Sequence, residues 1–152
     1  MSPSPRFWHQ EIILNIASAL RQHLRKHPAG KVAISPSDVE LSPADVYQPD
    51  IYFISQERLG ILNEQGPAGA PDLVVEVLSP ATAKLDLGPK REVYGETGVK
   101  EMWIVDGRQK KIDIYLLEGS ELKLARNVAP GDQIETPLIP GLTLDVREIF
   151  ES

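Results

Sequence analysis

Two acidic residues and one lysine occupy positions where a charge needs an explanation. Glu76 lies inside the aliphatic run at residues 73–78, Asp50 follows Gln-Pro ahead of a second apolar run, and Lys90 follows both. A carboxylate buried among aliphatic side chains costs free energy unless a cation or hydrogen-bond donors pair with it. Two neighbouring carboxylates could instead bind a hard cation such as Mg²⁺ or Mn²⁺, whose protein ligands are oxygens. These residues therefore predict either a metal site or a buried ion pair centred on Glu76.

The choice of a partner for Glu76 depends on how its strand pairs. Asp72 shares a strand face with Glu76 but lies roughly 13 Å away along the strand, too far to bind the same ion. If strands 50–55 and 73–78 pair antiparallel, with residue 55 opposite 73 and residue 50 opposite 78, Asp50 lies diagonal to Glu76 on the same face. We therefore predict Asp50 as the second metal ligand and keep Asp72 as the alternative or supporting acid.

Two further side chains could assist these acids. Lys90 follows Asp86 by four residues on a predicted helix, so the two share a helix face, and an ammonium there could orient a water or balance charge on a phosphate. The alternatives are that Lys90 is a surface lysine or the counter-ion of Glu76. Asp86 is predicted either as a supporting residue of the site or as a helix cap. His9 lies on the inward stripe of the first helix, either packing on the sheet or supporting the site.

Hydrophobic periodicity places these residues on a mixed sheet with helices. An apolar stripe of helical period over residues 6–27 includes His9, Ile13, Ile16, Leu20 and Leu24. A second helix is predicted over about 86–96, ended by Gly98. Short apolar runs predict strands at 32–34, 39–41, 51–54, 72–79, 102–106, 112–117 and 121–126. The last of these form two successive hairpins, a small antiparallel extension, and Tyr94 and Trp103 are predicted core residues. We expect one α/β or α+β domain over residues 1–152.

Composition limits the classes of function. The formal net charge of −6 argues against a protein that only coats nucleic acid, but less against an enzyme whose acids bind a cation. There is no cysteine, which excludes disulfides and thiolate metal sites. The first residues lack the apolar core of a signal peptide and no run reaches membrane-spanning length, so we expect no membrane association and a cytoplasmic location. Two basic groups could contact phosphates or remain solvated: Arg21, Arg25 and Lys26, and Arg108, Lys110 and Lys111.

The order of these motifs resembles a known family. The motifs are Gln-Pro-Asp50, Pro-Asp72-Leu-Val-Val-Glu76-Val-Leu-Ser79-Pro80, Asp86-x-Gly88-x-Lys90-x-x-x-Tyr94 and Gly98-Val99-x-Glu101-x-Trp103-x-Val105-Asp106. His9 and the tail Pro137-Leu-Ile-Pro140-Gly141-Leu-x-Leu-Asp145 also match. Together they resemble the Uma2 (DUF820) family of the PD-(D/E)XK, or restriction-endonuclease-like, superfamily, over nearly the whole chain.

The resemblance implies a nuclease-type core, in which a mixed sheet flanked by helices carries a metal site on a central hairpin. Carried over by position, Asp50 and Glu76 are the metal ligands for Mg²⁺ or Mn²⁺. The superfamily's Glu-x-Lys motif would place its lysine at residue 78, which is Leu78 here. Uma2-like proteins use a lysine from the next helix, and Lys90 matches that position.

Two hypotheses of different class follow. The first is a divalent-metal-dependent endonuclease acting on nucleic acid, with DNA favoured over RNA, in which Asp50 and Glu76 hold the metal and Lys90 assists. A homodimer is expected because cleavage of two strands is easier with two sites. The second is a restriction-like fold that serves as a non-catalytic interaction or dimerisation module, which Leu78 and the acidic net charge favour. In that case Glu76 and Lys90 form a structural pair.

Overall fold

The computed structural model describes residues 4–79 and 87–151, and within them a central mixed sheet is flanked by helices. The long helix α1 (Ser4–Lys26) precedes the strands β1 (Gly30–Ile34), β2 (Val39–Ser42), β3 (Asp45–Tyr47) and β4 (Ile51–Ser55). A 3₁₀ helix (Gln56–Ile61) and the short strands β5 (Leu62–Asn63) and β6 (Gly66–Pro67) lead to β7 (Leu73–Val77). The remaining elements are α2 (Gly88–Thr97), β8 (Glu101–Asp106), β9 (Lys111–Glu118), β10 (Glu121–Val128), β11 (Gln133–Ile134), β12 (Leu144–Asp145) and α3 (Val146–Phe150).

The central sheet of the described chain has six strands in the order β1-β4-β7-β8-β9-β10. β7 and β8 are parallel, connected by the segment that contains α2, and the other neighbouring pairs are antiparallel. The predicted mixed α+β fold is thus confirmed, and the two expected hairpins extend the central sheet at one edge. Small separate hairpins are formed by β2 with β3, β5 with β6, and β11 with β12.

Each face of the sheet buries its own apolar layer. The stripe of α1 packs on one face, where Ile16 and Leu20 are fully buried together with Phe53, Val75 and Trp103. Burying each such side chain contributes about 1.5–3 kcal/mol. The predicted stripe is therefore correct, although α1 begins and ends slightly earlier than expected.

The opposite face is covered by α2 and by the β2–β3 hairpin, where Tyr94 packs with Tyr52, Val74 and Met102. Gly98 ends α2 in the left-handed conformation, with φ of 103°, and its N–H binds the Tyr94 carbonyl. Because side chains alternate along β7, Glu76 points to this face with Val74. α2 is therefore the helix that can reach Glu76.

The predicted antiparallel pairing of β4 with β7 is present, but its register was wrong by two residues. The observed partners are Ile51 with Val75, Tyr52 with Val74 and Phe53 with Leu73. The Asp72 carboxylate explains the shift, because it accepts the Ser55 N–H at 2.7 Å beyond the last strand pair. A shift of two residues keeps each side chain on its face, and continuing the register places Asp50 directly opposite Glu76.

Helix length and hydropathy bear on the membrane prediction. Among the helices of the described residues, none combines the length and the apolar character needed to cross a bilayer.

Asp86, the predicted supporting residue ahead of α2, lies outside the described residues.

Candidate active site

Glu76 is the buried centre of a polar cluster at the carboxyl end of β7. The residue is 6% exposed, and its Oε2 accepts a hydrogen bond from the Tyr94 hydroxyl at 2.7 Å. The Lys90 Nζ lies 3.2 Å from the same oxygen. Lys90 and Tyr94 are four residues apart on α2, so one helix face presents both groups to the carboxylate.

Burial dominates the electrostatics of Glu76. Desolvation raises the pKa of this carboxyl above its ordinary value, the positive charge of Lys90 and the Tyr94 hydrogen bond oppose that effect, and the negative charge of Asp50 adds to it. The buried Tyr94 hydroxyl also has a raised pKa, because of its own burial and then the nearby Glu76 charge. Tyr94 therefore acts as a hydrogen-bond donor to Glu76 and not as an acid.

Asp50 faces this cluster from the start of β4. Its Oδ2 accepts the Val77 N–H at 2.7 Å, which ties the acid to the strand that carries Glu76. The main-chain carbonyl of Asp50 accepts the Ser35 N–H at 3.0 Å. Asp50 is thus held from both neighbouring strands, with its carboxylate at the end of the sheet.

His9 reaches the same end of the sheet from α1. Its Nε2 lies 2.8 Å from the Val77 carbonyl oxygen and 3.6 Å from the Asp50 Oδ2, so Nε2 carries a proton and donates to the carbonyl. The Asp50 carboxylate raises the pKa of His9, burial opposes this, and the bond to Val77 adds to the increase. Protonated His9 would add a positive charge beside Asp50.

Asp72 belongs to a different cluster. The side chain is fully buried, binds Lys100 at 2.9 Å and the Ser55 N–H at 2.7 Å, and lies 3.4 Å from Arg58. Burial alone would raise the pKa of Asp72, but these donors and cations hold it below the ordinary value. Asp72 lies at the opposite end of β7 from Asp50, so the alternative site built on Asp72 has no geometric support.

Two groups near Glu76 were missed or assigned another role from the sequence. Tyr94 was predicted only as a core residue, yet its hydroxyl binds the carboxylate, and its spacing of four from Lys90 was the available signal. Tyr47 was not singled out; its ring packs edge-on against Tyr94 at 5.5 Å, and the Lys90 Nζ lies 5.6 Å from the Tyr47 ring centroid. These aromatic rings limit where Lys90 can point.

The donor set suits a hard divalent cation. Continuing the β4–β7 register places Asp50 opposite Glu76, and the Val77 carbonyl, which accepts a hydrogen bond from His9, follows along β7. These are oxygen ligands of the type that Mg²⁺ and Mn²⁺ bind. Within residues 4–79 and 87–151, no group of three or more His, Asp or Glu side chains is arranged to hold a metal. A cation here would therefore rest on two carboxylates, main-chain oxygen and water.

Comparison with known proteins agrees with this architecture. The family model described as "Uma2: Putative restriction endonuclease" matches residues 1–147. The chain belongs to the Uma2 family. A crystal structure of a DUF820 protein from Anabaena variabilis ATCC 29413, titled a "putative nuclease", superposes with a TM-score of 0.72 at 18% identity, covering 94% of this chain and 80% of the other. At that identity the likeness shows the fold alone. No match was found among curated protein sequences.

Proposed function

We propose that this Uma2 protein is a divalent-metal-dependent nuclease that cleaves phosphodiester bonds in DNA. The observation that supports it is the convergence of Asp50 and Glu76 from adjacent strands with Lys90 at 3.2 Å from Glu76. Membership in a family whose model is described as "Putative restriction endonuclease" supports nucleic acid as the substrate. The net charge of −6 is compatible with this proposal, because a bound divalent cation would balance the charges of the two site acids.

Each side chain of the cluster has a defined role in the proposal. Asp50 and Glu76 would hold Mg²⁺ or Mn²⁺, which when bound supplies Lewis-acid polarisation of the phosphate and activation of water. Lys90 donates hydrogen bonds to the attacking water or to a phosphate oxygen, where its charge balances the charge that develops. Tyr94 keeps the Glu76 carboxylate oriented through its hydroxyl. His9 orients the end of β7 through the Val77 carbonyl.

The test is cleavage of plasmid, linear duplex and single-stranded DNA with Mg²⁺, Mn²⁺ or EDTA, using matched lysine variants. Asp50→Asn and Glu76→Gln should abolish the metal-dependent activity, and Lys90→Ala should lower it by about 10²–10³-fold. Lys100→Ala is the control, because Lys100 also pairs with a buried carboxylate, that of Asp72, which directly precedes β7 at the other end of the strand. Equal activity in all four variants would refute the assignment.

The alternative function has its own observation in support. Lys90 and Tyr94 already bind the Glu76 carboxylate, so the cluster could be a structural ion pair in a non-catalytic interaction module. That function predicts no metal binding and a loss of about 3–5 kcal/mol of stability when either charge of the pair is removed. Metal titration by calorimetry on the wild type and on Glu76→Gln distinguishes the two functions.

A further inference from the structure

An exposed aromatic pair lies next to the candidate active site. Phe7 and Trp8 are 55% and 49% exposed, and their rings meet edge-on with centroids 5.1 Å apart. They directly precede His9, whose Nε2 lies 3.6 Å from the Asp50 carboxylate. Isolated exposed apolar residues are ordinary, but two adjacent aromatic rings beside an acidic site form a surface on which a flat ligand can stack.

The outward face of α1 continues from this pair into a basic groove. Helical spacing places Phe7, Leu14, Arg21 and Arg25 on one face, and Leu14 is 57% exposed. Beyond Leu14 this face and the edge strand β1 enclose a groove of about 330 Å³, lined in part by Ser18, Arg21, Gln22, Arg25, Val32 and Ile34. An adjoining pocket, which Arg21 and Arg25 also line, adds Lys31 as a third cation.

The cations of this groove are available to a ligand. In the described residues, no carboxylate pairs with Arg21, Arg25 or Lys31 within 4.0 Å, whereas the lysines near Glu76 and Asp72 are paired. This positive groove lies on a chain whose net charge is −6. Its charge therefore favours an anionic ligand that follows the groove.

The groove leads to the acids. Ile34, at the near end of the groove, pairs with Ile51, and the next residue, Ser35, donates its N–H to the Asp50 carbonyl at 3.0 Å. The helix rises about 24 Å from His9 to Arg25. A strand of a few nucleotides can therefore span the aromatic pair, the groove and the two acids.

We propose that the surface formed by Phe7, Trp8 and the α1–β1 groove binds single-stranded DNA and guides it to Asp50 and Glu76. This inference rests on the proposed nuclease function and names its substrate as DNA with unpaired bases. Proteins that bind single strands combine a positive groove for the backbone with aromatic rings that stack on bases. In a duplex the faces of the bases are already stacked on one another, so exposed rings gain little there.

A second copy of the chain is a poorer occupant of this surface. A two-fold dimer would place the same patch against itself, so the unpaired Arg21 and Arg25 of each copy would face the cations of the other. One acid does lie on the proposed surface: Glu11 follows Phe7 by one helical turn and would repel a phosphate. Neutralising it should strengthen DNA binding.

The experiment measures binding without cleavage. Fluorescence anisotropy in EDTA compares a labelled 20-nucleotide single strand of DNA, the same sequence as a duplex, and the matching single-stranded RNA. We expect the DNA single strand to bind at least 10-fold more tightly than the duplex. Trp8→Ala should weaken binding by about 5- to 100-fold. Arg21→Ala and Arg25→Ala should each weaken it and reduce the slope of log K against log salt by about 0.7.

Matched controls use comparable exposed positions at the far side of the sheet. Leu124→Ala removes a side chain that is 52% exposed on β10, and Lys123→Ala removes an exposed cation from the same strand, at the sheet edge opposite β1. Neither should change binding, whereas Glu11→Gln should increase it. Apart from the partly buried Glu11, these positions are exposed, so circular dichroism and thermal melting should show folded proteins.

The outcomes separate the two proposals. Tight single-strand binding that depends on Trp8 and Arg21, with no cleavage in any metal, would support this surface and contradict the nuclease function. The surface is refuted if duplex binds as tightly as single strand, if RNA binds more tightly than DNA, or if the Trp8 and Arg21 variants bind like the wild type. It is equally refuted if light scattering shows that Trp8→Ala only dissociates a dimer and leaves DNA binding intact.

Discussion

Replacing Glu76 with glutamine should have opposite effects on apo stability and on metal binding. The carboxylate is 6% exposed, and the net effect of its surroundings raises its pKa above the ordinary value. The folded state therefore disfavours the ionised form relative to the unfolded chain. The contribution of Glu76 to stability is fully present below its unfolded pKa and is lost as the pH rises through its higher folded pKa.

At pH 7.5, glutamine removes this cost while keeping the shape of the side chain and an oxygen that can accept the Tyr94 hydrogen bond. Each unit by which the folded pKa exceeds the unfolded value corresponds to about 1.4 kcal/mol. Lys90 is one-third exposed, so water can solvate its ammonium once the carboxylate is gone. The apo variant should therefore be as stable as the wild type or more stable, with a difference that disappears toward pH 4.

Removing the other partner should have the reverse effect. Lys90→Ala leaves a buried carboxylate without its cation, a change that costs about 3–5 kcal/mol in comparable buried pairs. The partial exposure of Lys90 places the expected loss at the lower end of that range. The double variant Glu76→Gln/Lys90→Ala should recover most of the lost stability, because the uncompensated buried charge is absent.

Metal binding provides the second part of the assay. If Mg²⁺ binds with a Kd of about 1 mM, then about 10 mM Mg²⁺ stabilises the folded state by about 1.4 kcal/mol. For a chain of this size that corresponds to an increase in Tm of about 3–6 °C, which should be absent in Glu76→Gln. Urea unfolding gives the stabilities and thermal melting with and without Mg²⁺ gives the shifts. A loss above about 3 kcal/mol in Glu76→Gln, with no Mg²⁺ shift in the wild type, would refute the reasoning and favour the structural ion pair.

Two other changes test the elements that position the cluster. Asp72→Asn should lower the free energy of unfolding by about 1–3 kcal/mol at pH 7. The folded-state pKa of Asp72 is lowered, so the stability that its carboxylate contributes is present above the unfolded pKa and is lost as the pH falls through the folded pKa. Urea unfolding should therefore show a smaller difference between the variant and the wild type at pH 3 than at pH 7. Gly95→Ala should cost about 1–3 kcal/mol, because a Cβ there would lie 2.9 Å from the Ser120 carbonyl oxygen. Gly98→Ala is the control for backbone strain alone, because no atom lies within 4 Å of the position of the added Cβ although φ is 103°.

Much of the fold could be predicted from the sequence because burial imposes periodicity. The α1 stripe and β7 carry unambiguous patterns, and Gly98 marks the end of α2. The register of β4 with β7 could not be predicted in the same way, because apolar residues fill both faces of each strand and the pattern is unchanged by a shift of two. The observed register is accompanied by hydrogen bonds between residues distant in sequence, from Ser55 to Asp72 and from Val77 to Asp50, which the hydrophobic pattern does not reveal.

The candidate site was predictable in its acids but not in its supporting groups. Asp50 and Glu76 stand out because charges are rare within or next to such runs, and strand alternation places them on one face once the two strands are assumed to pair antiparallel. The role of Tyr94 could not be predicted, because the sequence does not distinguish a tyrosine of the apolar core from one whose buried hydroxyl donates a hydrogen bond. The His9 contact with the Val77 carbonyl depends on where the end of α1 meets the sheet, which local periodicity does not determine.

In the proposed nuclease, the position of Lys90 would compensate for the leucine at residue 78. Residue 78 follows β7 directly, and its N–H binds the Val105 carbonyl at 2.8 Å, so strand alternation would place a lysine there on the same face as Glu76. α2 covers that face and brings the Lys90 Nζ to 3.2 Å from Glu76, so the helix supplies the ammonium that the strand lacks. The position of the ammonium then depends on the docking of α2 against β10, where Gly95 permits close approach to the Ser120 carbonyl. Adding Leu78→Lys to Lys90→Ala should therefore restore part of the nuclease activity that Lys90→Ala loses. No recovery would mean that the ammonium must approach Glu76 from α2.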